Sequence, residues 1–206
     1  MKRLALITLL LAVPVSARQT GTGMAVHEWG TFTSVAGQDG SAIEWQPLSG
    51  PSDLPCFVHM IPDNPKIAVP GADVLSLSAT RAKVRMETPV LYFYSPRETT
   101  VDVAVRFPQG LITEWYPQAS VQPGYTPFDL ASTTSTITWS RVKVVPGGRS
   151  DFPSEPGKSH YYAARETDAT PLEVAGQPEK FLFYRGLASF PVPVSATVCY
   201  VVIIVV

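Results

Sequence analysis

The sequence predicts an all-β fold, an antiparallel β-sandwich or a partly open barrel. Three observations carry that expectation. The 206 residues include 20 prolines, about double ordinary usage, and a proline costs a helix interior roughly 3 kcal/mol. The proline-free windows are rich in Val, Thr, Tyr, Phe and Trp, residues that suit a pleated, half-buried surface. Period-two alternation is explicit in VDVAVRF, where Val101, Val103, Val105 and Phe107 share one face.

The chain opens on MKRLALITLLLAVPVSA, residues 1–17. Lys2 and Arg3 make a positive start, Leu4 to Val13 is a short apolar run, and Val15-Ser16-Ala17 offers small residues to a signal peptidase. That pattern reads as a secretory signal peptide, with a mature chain starting near Arg18. Residues 18–206 then read as a single all-β domain, long enough to bury a core without disulfides. The expected location is periplasmic, cell-surface or extracellular.

The first strand is VHEWGTFTSV, residues 26–35, with Gly30 marking a bulge or a close backbone approach. Gln38-Asp39-Gly40 is a turn signal and Ala42 to Trp45 the returning strand. Six prolines between Pro47 and Pro70 imply an irregular connection over the surface. Ala72 to Arg81 fits a short helix or a weak strand. Residues 83–117 predict a three-stranded antiparallel meander. KVRMETPVLYFYS, VDVAVRF and LITEWYP are its strands, and FPQG reads as a type I turn. TITWSRVKVV, HYYAAR and KFLFYRG read as three further strands. Thr197 to Val206 is almost wholly apolar.

Removing Lys2 and Arg3 with the leader leaves 14 basic and 17 acidic residues, a formal charge of −3. Such a chain lacks the basic footprint of a nucleic-acid binder. No later segment has the roughly 20 apolar residues of a membrane-spanning helix. Cofactor motifs and the common hydrolase signatures are absent from the sequence. Cys56 and Cys199 are the pair open to a disulfide.

The candidate site residues are few. His27 and Glu28 invite an acid–base or metal reading, but neighbours on a strand point to opposite faces. His27 and His59 are the candidate metal ligands, with His160, Glu28, Asp39 or Asp168 nearest in kind, although no ligand spacing links them. Glu87 and Glu114 fail as a carboxylate pair in the meander register. They would lie about 13 Å apart along the strands and two strands across, beyond the roughly 5–10 Å of glycosidase pairs. Salt bridges to Arg85, Arg106 or Arg141 are their expected fate. Trp29, Trp115 and Tyr116, with His27, are the candidate binding residues, because exposed aromatics form platforms for sugars or protein partners.

Three strings carry a resemblance: VHEWGTFTSVAGQDG at 26–40, RMETPVLYFYS at 85–95 and LITEWYP at 111–117. Together they resemble a family of exported bacterial proteins, through most of the mature chain. The family has no assigned activity, so the resemblance transfers no catalytic residue. It implies a bacterial source and an N-terminal portion of a longer protein, and CYVVIIVV at 199–206 departs from its pattern. The expected function is non-catalytic ligand or partner binding, with a carbohydrate or an envelope protein as partner and no cofactor. The alternatives are an extracellular hydrolase, metal-assisted or not, and a structural envelope domain.

Overall fold

The computed structural model describes residues 23–47, 53–61, 81–87, 89–124, 129–157 and 159–192. Residues 1–22, 62–80 and the apolar stretch 193–206 lie outside them. The described chain is antiparallel β throughout, in two packed sheets, with one four-residue helix. The architecture is an open sandwich and not a closed barrel.

Sheet 1 contains β1 (Ala25–Trp29), β2 (Phe32–Ala36), β3 (Ala42–Ile43), β4 (His59–Met60), β5 (Val84–Met86), β6 (Val90–Tyr94), β8 (Gly110–Tyr116) and β13 (Leu182–Ala188). Its register shows a simpler plan. β1 pairs with β6 and β2 with β5, so residues 25–36 form one long strand beside residues 84–94. Gly30 sits where the partner strand breaks, and a Cβ there would lie 3.0 Å from Pro89 Cα. That is the close approach the sequence predicts. β13 then pairs with β5, β6 and β8, and β4 closes the far edge on β8.

Sheet 2 contains β7 (Thr99–Pro108), β9 (Ser120–Gln122), β10 (Thr134–Val144), β11 (Leu172–Val174) and β12 (Gln177–Glu179). β10 carries β7 on one side and β9 and β11 on the other. Its ladder shifts between Trp139 and Val142, where Arg141 has φ 56° and its backbone N–H donates to Asp102 Oδ1 at 2.7 Å.

The expected meander does not form. The three strands are present, but β6 and β8 belong to sheet 1 while β7 belongs to sheet 2. The chain crosses between layers at each turn. Gln109, with φ 54°, makes the second crossing in the left-handed region, where a type I turn needs the right-handed one. Val103 and Val105 still face the core, now through pairing with Trp139 and Ile137. HYYAAR is also corrected. It forms helix α1 (His160–Ala163), because Ser159 caps it by accepting from the Tyr161 backbone N–H at 3.1 Å.

The main core fills the space between the sheets. Met86, Leu91, Phe93, Ile112, Leu182 and Tyr184 of sheet 1 meet Ile137, Trp139, Val142, Val144, Leu172 and Val174 of sheet 2. The other face of sheet 1 is also covered. Val58, Val90, Tyr116, Tyr161, Phe181 and Phe183 form a second cluster beneath residues 53–58 and α1. Ile61, Ala82, Leu111, Leu130 and Leu187 form a third. Sheet 1 is thus buried on both faces at its centre, and among the described residues no strand pairs with the outer side of β1.

Candidate binding surface

The bare edge is the most unusual part of the molecule. Residues 25–34 pair on one side only among the described residues. Even-numbered positions point to the inner face, shown by Val26 and Glu28 opposite Phe93 and Leu91, and by Phe32 opposite Met86. Odd-numbered positions point outward, with Trp29 opposite Val90. Both sets carry exposed apolar side chains. Trp29 is 68%, Phe32 63% and Val26 45% exposed. Val35 and Ile43 extend the strip as a cross-strand pair. A long edge with apolar groups on both faces is what soluble sheets usually avoid.

Two contacts fix this strand. The Tyr184 hydroxyl donates to Glu28 Oε1 from inside the sandwich. Burial first, then that hydrogen bond and the carboxylate's charge, push the Tyr184 phenol far above its ordinary pKa. On the outer face the His27 ring lies 5.0 Å from the Tyr94 ring, next to Trp29 along the same strand.

A second region concentrates charge on the outer face of sheet 1. The β8–β13 register skips Thr113, and this bulge sets Glu114 opposite Arg185. Arg185 is buried. Its Nε donates to the Glu87 carbonyl at 3.2 Å and its Nη2 lies 3.6 Å from Asp53 Oδ1. Asp53 Oδ2 lies 3.2 Å from His160 Nδ1. Arg85 donates to the Pro47 carbonyl at 2.9 Å. Its Nε is 3.3 Å from Glu87 Oε1 but off the hydrogen-bond direction. Thr33 Oγ1 donates to Glu87 Oε2 at 2.9 Å, and Thr113 donates to the Glu114 carboxylate. Burial and the like charge of Arg185 lower the Arg85 pKa, against the pull of Glu87, Glu114 and Asp53. These contacts tie Pro47 and Asp53 to the sheet. Arg185 Nη1 is buried and has no hydrogen-bond partner among the described residues, but no surface of that atom faces solvent, so the network reads as an anchor.

The carboxylate of Glu179 makes a third polar knot. It is fully buried and accepts from Arg165 Nε at 2.9 Å, Arg165 Nη2 at 2.6 Å, Tyr161 Oη at 2.9 Å and the Lys180 backbone N–H at 2.7 Å. The Arg165 guanidinium also lies over Phe57, Phe152, Tyr161 and Tyr162, 5.2–5.9 Å from the ring centroids. A carboxylate this fully satisfied is placed to hold α1, not to move protons.

The candidate residues from the sequence now separate. His27 and Trp29 lie on the exposed edge. Trp115 is half-buried and Tyr116 is buried in the outer-face cluster, so neither offers the expected exposed platform. The β8 bulge and the cover of residues 53–58 explain this. His27 and His59 are on opposite edges of sheet 1, with β6, β13 and β8 between their strands. Four strand spacings amount to about 19 Å, which rules out a shared metal. No metal-holding group of His, Cys, Asp and Glu occurs among the described residues. His59 instead packs 6.2 Å from the Trp115 ring, and burial lowers its pKa. Cys56 is exposed, and its candidate partner Cys199 lies outside the described residues. Glu87 does form an ion pair with Arg85 as expected. The meander register that separated Glu87 from Glu114 does not exist, since β7 lies in the other sheet and β13 lies between β6 and β8.

Sequence reasoning missed Val26 and Phe32. The signal was present: VHEWGTF carries large apolar residues on both parities, which a strand with one buried face does not.

The fold and surface together define a two-sheet β-sandwich whose apolar edge has no strand partner on its outer side among the described residues. Comparisons with protein-family models, with curated proteins and with solved structures each give no match.

Proposed function

We propose that this chain is an exported, non-catalytic β-sandwich module that binds a partner along the outer edge of sheet 1. The observation that carries the reading is the exposure of Trp29 and Phe32, at 68% and 63%, on an edge whose backbone is paired on one side only among the described residues. Exposed patches of this kind mark interaction sites. The leader-like residues 1–17 support export to the periplasm, the cell surface or the medium. A catalytic reading has less support, because the buried carboxylates Glu114 and Glu179 are engaged in internal hydrogen bonds.

A second reading is favoured by the outer-face row of Tyr94, His27 and Trp29. An aromatic ring flanked by hydrogen-bonding groups can stack a sugar.

The test presents wild-type protein and the W29A/F32S variant to arrays of soluble glycans, extended peptides and the protein itself. Glycan, ester and peptide turnover is assayed in parallel. At least one class should bind wild type and be lost in the double variant, with an unchanged melting temperature and no turnover. Absence of binding to all classes, binding that survives the double substitution, or turnover would overturn the reading.

A further inference from the structure

The same edge has a symmetry that selects its occupant. Within positions 26–32 its exposed apolar residues are Val26, Trp29 and Phe32, spaced three residues either side of Trp29, with Met24 and Val35 exposed beyond the two ends. We infer that the occupant is a second copy of the chain, paired antiparallel about a two-fold axis midway between the two copies of Trp29. This inference rests on the binding-edge reading above.

The argument is geometric. Two antiparallel edge strands related by a two-fold axis normal to the sheet keep like faces on the same side. Residues directly opposite must share a face. The axis therefore passes midway between the two copies of one residue, and for Trp29 position 29 − k meets position 29 + k. Centred on Trp29, Trp29 faces Trp29 of the partner subunit on the outer side. Val26 faces Phe32 of the partner subunit on the inner side, twice by symmetry. Glu28 meets Gly30 and His27 meets Thr31, so no like charges oppose each other.

Neighbouring registers are worse. Centring on Glu28 sets two carboxylates face to face. Centring on His27 puts Val26 against Glu28, and centring on Gly30 puts Phe32 against Glu28. Only the Trp29 register gives every exposed apolar residue of 26–32 an apolar partner. Such an isologous contact is self-complementary, as two-fold dimers require. It joins two copies of sheet 1 into one continuous sheet and closes the edge. A contact of about seven residues a side falls below the standard interface size, so a reversible dimer is expected.

The test is sedimentation equilibrium on the whole protein over a concentration series, with melting temperatures measured alongside. Wild type should show a reversible monomer–dimer equilibrium in the micromolar range. W29K should abolish it, because two ammonium groups then meet at the axis. V26K and F32E should each weaken it about tenfold or more, as unmatched charges do at an interface. The V26K/F32E chain should recover most of the lost affinity, because Lys now faces Glu across the axis. A residue with a purely intrachain role gives no such rescue.

A protein that stays monomeric at millimolar concentration overturns the inference, as does a dimer indifferent to W29K or a double variant that shows no rescue. A monomer whose amides at 25–34 resist exchange would mean an intrachain occupant, which also overturns it. The readings fail separately. A monomer that binds a glycan or peptide through Trp29 and Phe32 ends the dimer and leaves the binding edge. A monomer that binds nothing ends both.

Discussion

The buried carboxylate of Glu179 accepts two hydrogen bonds from Arg165, at 2.9 and 2.6 Å, across the seam between sheet 2 and the turn that follows helix α1. Removing one partner of a buried pair strands the other charge. Glu179→Ala and Arg165→Ala should each cost about 3–5 kcal/mol in urea unfolding. The double variant should cost clearly less than the two together, because neither charge is then left alone. Additive costs would show that the two side chains act independently.

Asp53 links the covering segment to helix α1 through His160 and to sheet 1 through Arg185. Burial alone would raise its pKa. The His160 hydrogen bond and the Arg185 charge outweigh it and hold the carboxyl below its ordinary 3.8. A depressed carboxyl stabilises the fold above its unfolded pKa, and that stability is lost as pH falls through the folded value. Asp53→Asn should therefore lower the melting temperature at pH 7, and the gap to wild type should close below about pH 4. A gap that is constant from pH 7 to pH 3 would contradict the assignment.

Tyr184 gives the opposite sign. Its phenol is buried and donates to Glu28, which raises its pKa. A raised pKa stabilises the fold below the unfolded value, about 10 for Tyr, and that stability is lost only as pH rises towards the folded value. Tyr184→Phe should cost about 1 kcal/mol at neutral pH. The wild type should also lose stability faster than the variant in alkali. Equal alkaline slopes would remove Tyr184 from the account.

Much of the fold was legible because it is written in local patterns. The alternation of residues 101–107 places Val103 and Val105 on the core face, and they lie there. Proline density and β-branched residues yield the all-β class for the same local reason. Pairing was not legible. LITEWYP follows VDVAVRF in the chain, but their hydrogen bonds go to β13 and β10 in different sheets. Chain adjacency favours a hairpin only where the turn keeps both strands in one layer, and Gln109 turns the chain out of it. HYYAAR is too short for its period to distinguish strand from helix, so the Ser159 cap was the deciding signal. The exposed edge was half legible. Trp29 stood out by residue type, while Phe32 was hidden by the assumption that one face of each strand is buried. The polar knots were not legible at all, since Arg165 and Glu179, or Arg185 and Asp53, meet only through the tertiary fold.

The alternation in β7 supports the last prediction. Val103 packs into the main core opposite the fully buried Trp139. Asp102 points outward, and its Oδ1 accepts from the Arg141 backbone N–H at 2.7 Å, holding the bulge in β10. Val103→Asp buries a carboxylate with no partner and should cost several kcal/mol, of order 3 or more. Asp102→Asn keeps the accepting oxygen and should cost under about 0.5 kcal/mol, as other surface changes do. Asp102→Ala loses the acceptor and should fall between them, near 1 kcal/mol, because Arg141 sits at positive φ and depends on that bond. Urea unfolding of the three variants should rank them in that order. Equal losses for Val103→Asp and Asp102→Asn would mean that the strand presents its other face to the core.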